Sequence, residues 1–151
     1  MSVALSADGN IAIVGGVADD GGVGSVSVFT RSGGHWTQDK NLVGTGAVGK
    51  STPSGALSAD GGSVMVGGSN DNGGVGAVWV FMHSGSHWTQ DKMVVGTGAV
   101  GKSAPSVALS ADGSNVMVGE SDDHGGVGAA VALTRSYQEQ PTPSALSNLE
   151  E

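Results

Sequence analysis

Apolar and polar residues alternate along this chain in short bursts, none long enough for a helix of several turns. "SVALS" at residues 2–6 sets Val3 and Leu5 against Ala4 and Ser6, a period of two that predicts a strand ending at the turn "SADG". "IAIVG" at residues 11–15 is β-branched and short, a second strand. An acidic, glycine-rich loop separates it from the longest apolar run, "SVSVFTRS" at residues 25–32, which reads as a third strand. After two glycines, "HWTQDKNLV" at residues 35–43 is an amphipathic fourth.

The pattern then begins again. "VALSADG" starts at Val3, "GALSADG" at Gly55 and "VALSADG" at Val107, each 52 residues after the last, and the rest of the unit follows at the same offset. Thus "SVMVG", "AVWVFMHS" and "HWTQDKMVV" repeat the second, third and fourth strands, whereas the third copy stops resembling the others at Tyr137 and lacks the Trp-bearing strand. Repeats of roughly 40–50 residues with four strands are the signature of propeller blades. The expected fold class is therefore all-β: β-propeller-type blades of four short antiparallel strands, about three 52-residue repeats forming an open or incomplete propeller. The expected units are a first blade at 1–52, a second at 53–104, a partial third at 105–136, and a divergent tail at 137–151 for which disorder is one reading.

Composition narrows the picture. With 28 Gly in 151 residues and only 4% aromatics, the core must be built from small side chains, and helices are disfavoured because Gly costs roughly 1 kcal/mol per helical position. A net charge of -8, with six scattered Lys and Arg, argues against nucleic acid as a partner. The absence of Cys excludes disulfides and thiolate metal sites. No apolar run approaches the roughly 20 residues of a membrane span, and the first residues carry no basic-then-apolar leader.

The segments "VALSADGNIAIVGG", "GGVGAVWVF", "RSGGHWTQ" and "NLVGTGAVG" together resemble the bacterial FG-GAP-type repeats, relatives of the integrin α-subunit propeller, over about Ser2 to Ser136. The resemblance implies a non-enzymatic surface or adhesion-like module that binds protein or glycan, and a secreted or cell-surface location. The chain departs from that pattern where "TPSG" and "APSV" stand in place of the Phe-Gly before the first strand. The integrin-like calcium loop between the first two strands would need several carboxylates. Only Asp8, Asp60 or Asp112 stands at the matching place in each copy, so that site is not carried over.

Three features compete for chemistry. "GTGAVGKS" at 44–51 and again at 96–103 fits the phosphate-loop pattern G-x-x-x-x-G-K-[ST], placing Lys50, Ser51, Lys102 and Ser103 where a nucleotide would sit. That loop works by leading a strand into a helix N-terminus, yet here Thr52-Pro53-Ser54-Gly55 and Ala104-Pro105-Ser106 follow, and no crossover helix is available. The octapeptides read as connectors between blades. The acidic turns with Asp19, Asp20, Asp71, Asp122 and Asp123 precede Gly-Gly pairs and offer two or three oxygens where calcium takes six to eight. They read as solvated hairpin loops, with calcium the alternative. His35-Trp36 and His87-Trp88 head the fourth strands, where Trp packs against the neighbouring blade or, with His beside it, stacks on a bound sugar. His83 reads as a surface residue.

No catalytic constellation emerges: there is no G-x-S-x-G elbow, and no His has a carboxylate partner that repeats with the units. The expectation is a non-enzymatic repeat module, without a required cofactor, that binds protein or glycan and is either a fragment of a larger propeller or a part that self-associates to complete one. Nucleotide binding and calcium stabilisation are its competitors.

Overall fold

The computed structural model describes residues 1–16, 23–47, 54–69, 76–94, 106–120 and 129–134. They form eleven strands and no helix. The first sheet is β1 (Val3–Leu5), β2 (Ile11–Gly16), β3 (Ser25–Ser32) and β4 (His35–Leu42), joined antiparallel in chain order. The second is β5 (Ser54–Leu57), β6 (Ser63–Gly68), β7 (Ala77–Ser84) and β8 (His87–Val94), and the third holds β9 (Ser106–Leu109), β10 (Asn115–Glu120) and β11 (Ala129–Thr134).

The repeat in sequence is a repeat in register. Val3 pairs with Val14 as Gly55 pairs with Val66, and Ile11 pairs with Thr30 as Ser63 pairs with Met82. Even the irregularity is copied: the ladder between third and fourth strands slips after Val28 and again after Val80, passing over Asp39 and Asp91. A bulge of this kind bends the outer strand and tightens its twist, which suits a strand at the rim of a blade.

Period-two alternation sends each sheet's residues to two faces, and the sheets stack through them. Ile13, Val26, Val28 and Leu42 of the first sheet pack against Val64, Val66, Ala77, Trp79 and Phe81 of the second. The opposite face of the second sheet, Met65, Val78 and Val80, packs against Val116 and Val118 of the third. The middle sheet is thus buried on both sides, so β6 and β7 read as continuous apolar runs, whereas β1 and β4 of the outer sheet keep exposed positions.

Between strands one and two of every unit the letters Ser-Ala-Asp-Gly build one device three times. The Ser6, Ser58 and Ser110 hydroxyls donate to Asp8, Asp60 and Asp112 at 2.6, 2.5 and 2.6 Å. Each serine oxygen also accepts the N–H that opens the next strand, from Ile11, Ser63 and Asn115, all at 2.9 Å. Gly9, Gly61 and Gly113 take φ of 71°, 75° and 69°, a left-handed conformation that costs a Cβ-bearing residue energy. These turns also tie sheet to sheet, because the Ala7 N–H donates to the Ala59 carbonyl and the Ala59 N–H to the Ala111 carbonyl, both at 2.9 Å.

Candidate functional site

The connector "GTGAVGKS" is described as far as Ala47, and that half already has an occupation. Ala47 N–H closes a turn on the Gly44 carbonyl at 3.0 Å, with Gly46 at φ 80°. The turn lies on the second sheet: the Trp79 indole Nε1 donates to the Thr45 carbonyl at 3.3 Å, and Thr45 N–H donates to Gln90 Oε1 at 2.8 Å. Gly44 faces the indole so closely that a Cβ built on it would stand 2.1 Å from Trp79 Cδ2. The glycine that begins the phosphate-loop pattern is therefore required by a tryptophan. Lys50, Ser51, Lys102 and Ser103 lie outside the described residues, as do Asp19, Asp20, Asp71, Asp122 and Asp123.

The two His-Trp pairs occupy the same register but different surroundings. Trp88 is half-buried against the cluster between the first and second sheets, and its ring stacks on His83 with centroids 4.7 Å apart. His83, expected as a surface residue, is half-buried by that stacking; the reason is register, since His83 and Trp88 are direct cross-strand partners. Trp88 Nε1 is buried without a hydrogen-bond partner. Trp36, the equivalent in the first sheet, is 46% exposed, and His35 and His87 are exposed.

Register shows what accompanies Trp36. The cross-strand pairs Val3–Val14, Leu5–Ala12, Ala12–Phe29, Val14–Ser27 and Arg31–Trp36 put these side chains on one face. It is the face that sheets two and three bury, and here Val3 and Leu5 are 68% and 57% exposed. The sequence points to Trp36 but not to Val3 and Leu5, which share its face from the opposite edge strand of the sheet. The available signal was the 52-residue offset, which aligns exposed Leu5 with half-buried Leu57 and Ser27 with buried Trp79.

Among the described residues no group of three or more His, Asp or Glu side chains converges to hold a metal ion, and no helix is long and apolar enough to cross a membrane. The three turn aspartates are each satisfied locally. The Ser6 hydroxyl and Asn10 hold the Asp8 carboxyl below its usual range, and the Ser58 hydroxyl and Gly62 N–H do so for Asp60, partly opposed by its burial and, less, by the negative charge of Asp112. Asp112 is lowered to about 2 by the Ser110 hydroxyl and by Ser114. A carboxyl depressed in the folded state contributes stability above its unfolded value near 3.8, and that contribution is lost as pH falls through the folded value near 2. Thermal melts should therefore show a drop between about pH 4 and pH 2 that an Asp112→Asn variant flattens. Equal melting temperatures across that window would refute the role of these turns.

No family model matches the sequence, and a search of the curated proteins finds no match. Among solved structures, the fold is similar to TolB from Acinetobacter baumannii, with a TM-score of 0.55 and 15% identity over 89% of this chain and 29% of that one. A putative 6-phosphogluconolactonase from Bacteroides uniformis ATCC 8492 matches at TM-score 0.47 and 16% identity, over 89% of this chain and 40% of that one. The chain thus spans less than a third of the TolB chain. Three stacked antiparallel sheets, none with a helix, and the likeness to a propeller-like fold define an all-β, propeller-type protein in an open or incomplete arrangement.

Proposed function

We propose that the chain is a non-enzymatic propeller-type interaction module of FG-GAP-like character, and that it binds a protein through the open face of its first sheet. The observation that carries this reading is the alignment of Val3, Leu5 and Trp36, all exposed, on a face whose equivalents in the other two sheets are covered. Large apolar side chains gathered on one face mark an interaction surface, whereas single ones do not. Protein is favoured over glycan because Val3 and Leu5 stand exposed on the same face as Trp36, and exposed apolar side chains gathered on one face mark protein contacts. The Gly44–Trp79 contact weighs against the nucleotide alternative, and the local satisfaction of Asp8, Asp60 and Asp112 against a calcium site at those turns.

Two titrations separate the outcomes. The apolar dye ANS should bind the dilute protein, and a Leu5→Asp, Trp36→Asp double variant that retains its melting temperature should bind less of it. A panel of neutral and acidic oligosaccharides, followed by Trp fluorescence, should produce no saturable change. A saturable response abolished by Trp36→Ala would replace protein with glycan, and a protein that binds neither dye nor sugar would overturn the module reading.

A further inference from the structure

We infer that the partner of this open face is a second copy of the chain, seated head to tail through the free face of its third sheet. The inference rests on the interaction-module reading and names its partner. The third sheet's free face carries Ala108, Met117 and Ala132, which are cross-strand neighbours, with Met117 50% exposed. Its equivalents, Ile13 in the first sheet and Met65 in the second, are 1% and 0% exposed because the following sheet covers them. Met1 aside, every large apolar side chain exposed among the described residues lies on one of these two faces.

The contact has a template inside the molecule. Met65 is buried in a cluster against which Val107 and Leu109 pack. Met117 repeats Met65, and Val3 and Leu5 repeat Val107 and Leu109, within the identical heptapeptide "VALSADG". Placing the first sheet of one copy on the third sheet of another therefore sets Met117 against Val3 and Leu5 as Met65 is set against Val107 and Leu109 between sheets two and three. A shallow hollow of about 380 Å³ runs along Ala108, Met117 and Ala132. Alanines at 130 and 132 replace Val78 and Val80 there, leaving room on the receiving face.

The turns continue the same pattern outward. Within the chain each turn's Ala N–H donates to the Ala carbonyl of the next, so the series ends in the Ala111 N–H on one side and the Ala7 carbonyl on the other, both on exposed residues. Gly61 and Gly113 sit against Ile11 and Ser63 of the preceding sheet, whereas Gly9 has nothing within 4 Å. The residue equivalent to Ile11 and Ser63 in the third sheet is Asn115, which is exposed. Each sheet-to-sheet contact thus has its first half waiting on the third sheet and its second half on the first. The joint is heterologous, and two copies would align six sheets, a number that propellers use.

The test is sedimentation equilibrium with the wild-type chain and two variants, Leu5→Lys and Met117→Lys, each blocking one half of the joint. Wild type is expected at twice the 14.7 kDa chain mass or a higher multiple. Each variant alone should fall to the monomer mass. Mixed in equal amounts the two should recover a one-to-one heterodimer, because each supplies the face that the other lacks. That recovery also shows that both variants are folded. A wild type that stays monomeric at high micromolar concentration overturns the inference; if it still binds ANS, only the identity of the partner falls, and if it does not, the module reading falls with it. A wild-type oligomer whose blocked variants stay monomeric on mixing would also overturn it, since the joint would then not be head to tail.

Discussion

Replacing Trp79 by Ala is expected to cost about 3–5 kcal/mol of stability, the range for emptying a buried aromatic site. Trp79 is 2% exposed and is the largest fully buried side chain among the described residues. Its ring lies among Val26, Val28, Phe81 and their neighbours between the first and second sheets, and its Nε1 reaches the Thr45 carbonyl of the connector. One side chain therefore fastens sheet to sheet and sheet to connector. A domain of this size is typically stable by about 5–15 kcal/mol, so the loss is a large share of the total. In a thermal melt it should lower the midpoint by roughly 10 °C. Trp36→Ala, the same residue type on the uncovered face, should leave the melting of the dilute monomer within about 1 kcal/mol of wild type, as surface changes do. If the two variants melt together, the stacking order of the sheets described above is wrong.

Much of this fold was legible in the letters. Alternation in "SVALS" and "SVSVFTRS", with Ser-Ala-Asp-Gly and paired glycines as punctuation, located the strands closely, because a strand needs only a period of two and a turn residue at each end. The exact repeat then carried one sheet's register to the next. Less visible was which face of each sheet would be covered, since Val26 and Ser27 are adjacent letters and only stacking decides which one matters. The same limit explains the His-Trp pairs. "HWTQDK" is identical in both copies, yet Trp88 is packed and Trp36 exposed, because the difference is made by the presence of a preceding sheet and not by the strand itself.

"GTGAVGKS" shows a second kind of illegibility. Its neighbours in the chain argued against a phosphate loop, but nothing local indicated why its first letter had to be glycine. The reason lies 35 residues further on, in an indole of the next sheet. Pattern matching compares neighbours in sequence, whereas this glycine answers to a neighbour in space.

That relation makes Gly44→Ala the other substitution of large effect. The added methyl would stand 2.1, 2.2 and 2.6 Å from three atoms of the Trp79 ring, far inside van der Waals contact, and the ring is held among buried neighbours that leave it little room to retreat. Overpacking of a closed core typically costs about 1–3 kcal/mol, occasionally more, and here the upper end is expected because the connector must lift away and surrender the Trp79–Thr45 and Thr45–Gln90 hydrogen bonds. Backbone conformation contributes nothing to this cost, since Gly44 does not lie in the left-handed region. The two effects must therefore be coupled: in a Trp79→Ala background the methyl has space, and Gly44→Ala should become nearly neutral. A double-mutant cycle by urea unfolding would measure that coupling as about 1–3 kcal/mol, whereas additive losses would mean that the connector does not rest on the indole.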